Sequence, residues 1–438
     1  MQEALIMPAK AWSLLQKICF RIFFIYFLLL IQPWSWIDPV PGAHYILDPW
    51  FNFSDRMVQF ANRHFFHVFG IKEVYPVFNG SGDTSFHWAE LYTHIALAII
   101  GAAVWSTIDF RKKNYRSLNY ILCLLVRYHL IITAFIYGIL KVFCLQMPFP
   151  SIGELATPLG DLLPMRFSWF FIGYSTPYEI FSGLMEILAA SLLFFRRTAT
   201  MGALIATAVF INVMMLNLCY DIPVKLQSMN LVLLCFYLII NEADRIACFF
   251  VFNKPAAECS LYNRVYPKKW MRITRIVLKV AVVLQISYMF IDSYSRYKDE
   301  SLAKIKPPFK DNIYTVQTFA VNGDTLPPLI TDTLRWQDMI IDKGGRGSIQ
   351  SKDTTFRKRY GRGIFTYEID SITSILNFKK RSTDSIPFAH FRYSFLNDSM
   401  LTLTGKKNTD SLFVLLRKSN RHFQLAEKQF HWLSEANR

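Results

Sequence analysis

The stretch 178–220 reads YEIFSGLMEILAASLLFFRRTATMGALIATAVFINVMMLNLCY. It holds two apolar runs, joined by Arg196 and Arg197, and each run has about the 20 residues that a helix needs to cross a bilayer. Glu186 lies in the middle of the first run. A carboxylate at that depth is costly to expose to lipid, so we expect it to face a partner or a polar cavity. The stretch therefore predicts a membrane protein with a site around Glu186.

The composition of the whole chain supports the same class of protein. Of its 438 residues, 53% are apolar and only 18% are charged, which departs from ordinary soluble proteins. The formal charge of +16 gathers largely in short loops beside the apolar runs, as in the cytoplasmic loops of membrane proteins. We therefore predict association with membrane lipid and no nucleic-acid partner.

Apolar segments long enough to span a membrane recur along the first two-thirds of the chain. Alternate loops between them are rich in Lys and Arg, which predicts a cytoplasmic N-terminus and, for an odd number of spans, a C-terminal region on the outer side. The predicted spans are seven in number: 18–37, 91–110, 119–145, 168–195, 199–219, 227–250 and 272–292.

Two further segments have patterns of their own. SDRMVQFANRHFFHVFG (54–70) has apolar residues at helical spacing after a capping Ser54 or Asp55, which predicts an amphipathic helix on the membrane surface or a re-entrant helix packed in protein. From about residue 306, alternating segments from YTVQTFAV to FQLAE are separated by turn signals. They predict about eight short strands in a small antiparallel sandwich or barrel.

The fold class predicted is thus a polytopic α-helical membrane bundle followed by a small antiparallel all-β domain. The chain divides into an N-terminal two-span region, a four-helix core, a loop with the seventh span and a linker, and the β domain. The predicted boundaries are 1–118, 119–252, 253–305 and 306–438.

Charged residues in the spans suggest a buried pair. At about 1.5 Å of rise per residue, Arg127 on the third span and Glu186 on the fourth lie at similar depth. We therefore predict an Arg127–Glu186 pair, with Lys141 extending outward to lie nearer Glu179. The alternatives are a pair that only fixes helix packing and a pair that carries charge or protons, which makes Glu186 and Arg127 the catalytic candidates.

Other polar residues converge on the outer half of the predicted core. They predict a cavity that opens outward and binds a polar head group, a quinone or a peptide. The candidate ligand-binding residues are Tyr128, Lys141, Tyr174, Glu179, Asn212, Asn217, Asp221 and Lys225.

Metal and disulfide chemistry have little support. The seven cysteines form no Cys-x-x-Cys pair, and His64 with His67 lacks a third ligand at useful spacing, so we predict no bound metal. Cys144 and Cys219 both fall near the predicted outer surface, and a disulfide between them is the one pairing we consider.

The segments RYHLIITAFIYGILKVFCLQMPFPS (127–151) and GYSTPYEIFSGLMEILAASLLFFRRTATMGALIATAVFINVMMLNLCYDIPVKLQS (173–228) resemble the DoxX-like family of bacterial membrane proteins. The likeness is to long Bacteroidetes members with a C-terminal β domain. The shared pattern begins with a helix that carries an Arg and the motif G-x-x-K. The motif G-x-x-E and then Arg-Arg-Thr follow it. Glu186 is the glutamate of G-x-x-E and so matches the family pattern. The resemblance implies a four-helix unit over spans three to six in a bacterial inner membrane, with the β domain in the periplasm. It also implies kinship with a subunit similar to thiosulfate:quinone oxidoreductase.

Two functions of different classes follow. The first is a quinone- or lipid-associated oxidoreductase component in which Glu186 and Arg127 tune charge or move protons. The second is a non-enzymatic accessory protein that binds lipid or cargo and presents it through the β domain. The cofactor is open, and a quinone is the candidate under the first hypothesis.

Overall fold

The computed structural model describes residues 11–38, 40–77, 79–255, 268–305, 309, 313–329, 331–427 and 431–433. The described residues form two compact units. The helical unit lies within Met1–Val142 and Ile180–Ile291, and the barrel unit lies within Phe143–Glu179 and Asp292–Arg438. The segment 143–179, which the sequence assigned to the four-helix core, therefore belongs with the β domain.

Long apolar helices dominate the first two-thirds of the chain. Among the described residues, six helices have the length and composition to cross a membrane, and a seventh apolar helix is shorter. The fold is thus the predicted polytopic helical bundle followed by an all-β domain. The helices are α1 (Leu14–Ile31), α2 (His44–Ala61), α3 (Ser85–Ile108), α4 (Arg116–Val142), α5 (Ile152–Leu155), α6 (Pro164–Tyr174), α7 (Thr176–Phe194), α8 (Ala199–Cys219), α9 (Lys225–Ile240), α10 (Ala243–Phe250), α11 (Lys269–Leu302) and α12 (Gln424–Glu427).

Two predicted spans are interrupted in the structure. The span 168–195 is divided at Ser175, because Pro177 lacks a backbone N–H and fits only the first turn of a new helix. Within the predicted span 227–250, the continuous helix ends at Ile240, because a polar run begins at Asn241. The Asn241 side chain donates to the Tyr237 carbonyl at this end. The resulting α9 has 16 residues, fewer than a helix normally uses to cross a bilayer.

The predicted amphipathic helix is present, but its start is wrong. Helix α2 begins at His44, and Ser54 is a buried residue inside the helix rather than its cap. The α-helix ends at Ala61, and one π turn, Asn62–Phe66, follows it. Buried Asn62 donates to the carbonyls of Ile71 and Lys72 and so fixes the chain after this turn.

One face of α4 forms a central part of the helical core. Leu122, Val126, Leu130 and Ala134 recur every fourth residue and are all buried, as expected for one stripe of a helix. Gly138 continues this stripe. The decrease in side-chain size toward Gly138 allows another helix to approach the backbone of α4 closely at that level.

The β domain is a closed antiparallel barrel, which decides between the predicted sandwich and barrel. Eight strands pair in the cyclic order β1-β3-β4-β6-β7-β8-β9-β10, and β10 pairs with β1 to close the ring. The short strand β2 pairs only with β1, and the short strand β5 pairs only with β6. The strands are β1 (Ile313–Val321), β2 (Asp324–Thr325), β3 (Asp338–Asp342), β4 (Arg346–Gln350), β5 (Arg357–Arg359), β6 (Arg362–Asp370), β7 (Ile375–Lys379), β8 (Ala389–Asn397), β9 (Met400–Lys407) and β10 (Asp410–Lys418).

Large side chains fill the interior of the barrel. Trp336, Phe378 and Phe391 are fully buried, and the Trp336 ring lies 5.8 Å from that of Phe391, in an edge-to-face arrangement. An eight-stranded barrel has an interior just wide enough for such side chains, so this one is a packed core. The predicted strand at FQLAE is wrong: it forms the short helix α12, Gln424–Glu427.

The segment 143–179 packs on the barrel through close and polar contacts. Gly153 in α5 lies so near β4 that an added Cβ would sit 2.7 Å from the Ser348 hydroxyl. Arg166 at the start of α6 donates from Nε to the Tyr360 hydroxyl. These contacts hold α5 and α6 against the barrel, where they form the cavity described below.

Candidate functional site

Helices α4 and α7 approach each other at a pair of glycines in the helical unit. A Cβ added to Gly183 would lie 2.6 Å from the Gly138 carbonyl, and one added to Gly138 would lie 2.9 Å from the Gly183 carbonyl. Contacts this short leave no room for a side chain on either residue. The two backbones therefore meet directly, and each glycine is followed three residues later by a charged side chain, Lys141 or Glu186.

Lys141 and Glu186 form a buried ion pair beside this contact. The Lys141 Nζ donates to Glu186 Oε1, and the two side chains are 6% and 1% exposed. The ammonium also lies 5.9 Å from the centre of the Tyr137 ring. In the described part of the chain, Glu186 Oε2 has no hydrogen-bond partner. The pair joins α4 to α7 and leaves Glu186 almost without access to solvent.

The predicted Arg127–Glu186 pair and the placement of Lys141 nearer Glu179 are therefore wrong. Arg127 lies eleven residues before Gly138, which is about 16 Å along the axis of α4. Helical side chains lean toward the N-terminus of their helix, so the long Lys141 stem can extend back toward Tyr137 instead of outward. The depth argument placed the charges by their Cα positions and neglected this direction.

Glu179 has a different environment, in the barrel unit. Its side chain is fully buried, and Oε1 accepts a hydrogen bond of 3.0 Å from the Met147 backbone N–H. Burial and the nearby Glu179 carboxylate raise the pKa of the Cys144 thiol to about 11. Cys144 and Cys219 are both free thiols, so the considered disulfide is not formed.

The polar residues predicted around α8 cluster in the turn that leads to α9. Asp221 Oδ1 accepts from Lys225 Nζ at 2.7 Å, and buried Asn217 donates weakly, at 3.4 Å, to the Val224 carbonyl. Asn212 is exposed on α8. Sequence reasoning missed Asp83, whose carboxylate accepts from the backbone N–H groups of Lys225 and Leu226.

Asp83 gives this cluster a structural explanation. Its two carboxylate oxygens lie 2.8 and 3.0 Å from those amide nitrogens, which belong to the first turn of α9. A carboxylate in that position satisfies free N–H groups and interacts favourably with the helix dipole. The cluster therefore caps a helix, and the predicted outward cavity, which also draws on Tyr174 in the barrel unit, stays a prediction.

A cavity of about 680 Å³ lies within the barrel unit. One wall is α6, whose aromatic residues recur at helical spacing, and another is the segment 421–425 after β10. Polar groups are few and include Glu154, Ser175, Arg421 and His422. The aromatic lining consists of Phe167, Phe170, Phe171, Tyr174, Tyr178 and Phe423.

Of the polar lining groups, Arg421 and His422 belong to the segment after β10, Glu154 lies on α5, and Ser175 follows α6. His422 Nδ1 lies 2.8 Å from Glu427 Oε1, and the Arg421 guanidinium lies 4.9 Å from the centre of the Phe423 ring. Phe171 is 69% exposed, which leaves a large apolar surface open on α6. Of the predicted ligand-binding residues, Tyr174 lines this cavity.

The remaining candidates lie elsewhere in the helical unit. The Arg127 guanidinium lies 5.7 Å from the centre of the Tyr128 ring, and Arg127 lines a second, smaller and more polar cavity. Among the described residues, no group of three or more His, Cys, Asp or Glu side chains is arranged to hold a metal ion.

Comparison with known proteins gives a partial relative. Over 107 residues the chain is 38% identical to the uncharacterized protein YwoB of Bacillus subtilis (strain 168), a match that covers 24% of this chain and 66% of the relative. The chain thus spans just under two-thirds of the length of that relative. No protein-family profile and no solved structure matches the chain.

Proposed function

We propose that this membrane protein binds an amphiphilic ligand with a long apolar chain in the cavity of the barrel unit, as a non-enzymatic lipid- or cargo-binding protein. The observation that carries the proposal is the cavity itself, with its volume of about 680 Å³ and its aromatic lining. Sites for small organic ligands commonly measure about 300–1,000 Å³, with mostly apolar walls and a few polar groups.

The distribution of polar groups supports an amphiphile over a wholly apolar ligand. An apolar chain fits along Phe167, Phe171 and Tyr174 on α6, and a polar or anionic head group fits beside Arg421 and His422. Large apolar surfaces exposed on soluble parts of proteins commonly mark binding sites. Phe167, Phe171 and Tyr178, which all line the cavity, are 46%, 69% and 50% exposed and form such a surface together.

The environment of Glu186 favours the non-enzymatic member of the two hypotheses. A general acid or base must reach the proton that it transfers. Glu186 is 1% exposed, is held by Lys141, and does not line the cavity of the barrel unit. A structural role, in which the pair joins α4 to α7, accounts for these contacts.

A quinone-associated oxidoreductase component is the second candidate. The aromatic lining favours it, because the six rings could stack on a quinone ring as well as cover an apolar tail. Under this candidate the resemblance to the DoxX-like family and to a quinone oxidoreductase subunit would extend to function. A quinone and a lipid share the long apolar chain that the cavity fits.

The proposal includes a location in a bacterial inner membrane, with the N-terminus in the cytoplasm and the barrel in the periplasm, an orientation that requires the 16-residue α9 to cross as a seventh span. Lys- and Arg-rich alternate loops, such as 111–116 and 196–197, support this orientation. Ile386 is 82% exposed on the barrel unit, so Ile386→Cys provides a labelling site. In spheroplasts, a membrane-impermeant maleimide should label it before lysis, and labelling only after lysis would reverse the orientation.

The ligand is tested by mass spectrometry of small molecules extracted from the full chain purified in mild detergent. We expect a bound lipid or quinone at near-stoichiometric amount in the unmodified protein. Phe171→Glu places a charge in the aromatic wall and should reduce the amount of bound ligand at least about tenfold, since the ligand's apolar chain would strip water from the carboxylate on binding, which costs several kcal/mol. Ile386→Glu alters an equally apolar exposed position outside the cavity and should retain the ligand. An acyl lipid supports the first candidate, a quinone supports the second, and equal loss in both variants rejects the cavity.

A further inference from the structure

A small polar cavity lies in the helical unit, apart from the Lys141–Glu186 pair. It is formed by α4, by the α7–α8 connection with the first turn of α8, and by the end of α9. Its volume of about 50 Å³ exceeds the ~10–15 Å³ that one water needs, and suits a small ion or a single head-group phosphate. Its polar lining includes Arg127, Arg196, Thr200, Asn241 and Glu242.

Arg127 is the cation that most requires a partner there. The residue is only 6% exposed, and in the described part of the chain it forms no hydrogen bond or ion pair. Its Nε is sealed from solvent without a partner, and its guanidinium contacts the Tyr128 ring. Burying an unpaired charge costs several kcal/mol, and a cation–π contact offsets only a part of that.

Other positive charges surround the same region. Arg196 lines the cavity, and Lys279 on α11 lies within electrostatic range of Arg127, Arg196 and Arg275. The Glu242 carboxylate also lines the cavity, but it forms an ion pair with Arg245. The charge that the cavity presents is therefore positive.

The first turn of α8 adds donors of a second kind. Thr198 occupies the N-cap position, yet its hydroxyl donates to the Leu192 carbonyl and does not cap the helix. The first N–H groups of α8 thus lack a side-chain cap, and Thr200 in this turn lines the cavity. Uncapped N–H groups at a helix start attract anions, as the partial positive charge of the helix dipole does.

We infer that this cavity binds a phosphate-type oxyanion, held by the Arg127 and Arg196 guanidinium groups, the Thr200 hydroxyl and the first turn of α8. A guanidinium forms two parallel hydrogen bonds with a phosphate, which would satisfy the buried Nε of Arg127. The oxyanion can come from a phospholipid head group or from free phosphate. The site lies in the helical unit and does not depend on the cavity of the barrel unit.

The test is the shift in unfolding temperature of the purified full chain in neutral detergent. Sodium phosphate is compared with sodium chloride at equal ionic strength, and phosphatidylglycerol is compared with diacylglycerol, which lacks the phosphate. We expect phosphate, phosphatidylglycerol or both to raise the temperature, with the apparent affinity reduced about tenfold or more in Arg127→Gln. Arg116→Gln, an exposed arginine on the same helix, is the matched control and should respond like the unmodified chain.

The two possible sources of the oxyanion, a phospholipid head group and free phosphate, give different patterns of stabilisation. A response to phosphatidylglycerol alone assigns the site to a lipid head group, and a response to inorganic phosphate as well assigns it to the free anion. If Arg127→Gln does not fold, Thr200→Val replaces it with the same criterion. The inference is overturned if neither probe stabilises the chain, if the cavity variant responds like the unmodified chain, or if Arg116→Gln loses the response equally.

Discussion

The helical unit and the barrel unit each bury a lysine–carboxylate ion pair, but they surround it differently. In the helical unit, Glu186 binds Lys141 through Oε1, and its Oε2 has no hydrogen-bond partner among the described residues. In the barrel unit, Asp353 binds Lys407 and also accepts from the Thr355 backbone N–H at 2.9 Å.

Burial alone therefore does not define a functional carboxylate. Asp353 belongs to a local network in which its backbone N–H donates to the Ser351 hydroxyl, so the pair helps to order a loop. Glu186 depends on one lysine, beside a contact between two glycine backbones. Both arrangements hold elements of the fold together, and neither exposes its carboxylate to a substrate.

The largest effect is expected from Glu186→Gln. It leaves the Lys141 ammonium buried without its carboxylate, and removing one partner of a buried pair costs about 3–5 kcal/mol. The measurement is unfolding of the full chain in mixed micelles. Asp221→Asn is the control, because Asp221 pairs with Lys225 at an exposed position and should cost at most about 1 kcal/mol.

Replacing both partners of the pair separates the effect of the uncompensated charge from that of lost packing. Lys141→Met with Glu186→Leu removes both charges and should recover most of the lost stability, since apolar replacements of a buried pair are often neutral. A double variant as unstable as Glu186→Gln would contradict the view that the uncompensated charge is the cause.

Cys144 extends the comparison to the buried carboxylate of Glu179. A thiol pKa of about 11, against an ordinary value of 9.0, means roughly a hundredfold smaller thiolate fraction near neutral pH. Alkylation of Cys144 by iodoacetamide should be slower by about this factor than that of an unperturbed thiol. Glu179→Gln should lower the thiol pKa and accelerate the reaction, and rates unchanged by this substitution would show that the carboxylate has no such influence.

The close contact of α4 with α7 predicts a cost for a single methyl group. Gly183→Ala places a Cβ 2.6 Å from the Gly138 carbonyl and should destabilise the chain by about 1–3 kcal/mol, as overpacking does. Gly160→Ala is the control, because nothing lies within 4 Å of its added Cβ. Equal stability of the two variants, measured by thermal unfolding, would remove the basis for the glycine contact.

The smallest effect concerns acid stability of the barrel unit. Burial opposes ionisation of Asp353, but Lys407 and the Thr355 N–H outweigh it and lower the pKa of this carboxyl. Its stabilisation is therefore present above the unfolded pKa of about 3.9 and is lost as pH falls through the folded value. Asp353→Asn should reduce the loss of stability between about pH 5 and pH 2.

The pKa of the Asp342 carboxyl is shifted in the opposite direction. Burial raises its pKa, and hydrogen bonds from the backbone of Gly153 and Ile152 oppose this only in part. Its contribution is present below the unfolded pKa and is lost as pH rises through the folded value. Asp342→Asn should therefore remove the loss of stability that occurs as pH rises through the folded pKa of Asp342. If the stability of Asp353→Asn and that of Asp342→Asn depend on pH with the same slope, the pKa shifts assigned to both carboxyls are contradicted.

The sequence predicted the membrane helices well, because a long apolar run has few other structures available. It did not predict the breaks at Ser175 and Asn241, where one proline or one polar run ends a helix inside an apolar stretch. It also missed strand β4, Arg346–Gln350, which contains Gly347 and lacks a regular alternation.

Within the candidate site, the sequence identified Glu186 as a buried carboxylate but assigned it the wrong partner. The signal for Lys141 was present, because Gly138 and Gly183 precede the two charges by the same three residues. The cavity of the barrel unit gave no comparable signal. Phe171 on α6 falls inside the predicted span 168–195, whereas the structure groups this segment with the barrel.

The most direct test of the proposed function is photo-crosslinking of the purified full chain with a trace of a diazirine-bearing acyl lipid, followed by peptide mapping. We expect adducts within 150–178 and 421–425, and we expect excess unlabelled lipid to suppress them. Two results together would contradict a lipid site in the barrel unit. The adducts would be spread over the exposed apolar helices, and excess unlabelled lipid would remove none from these two segments.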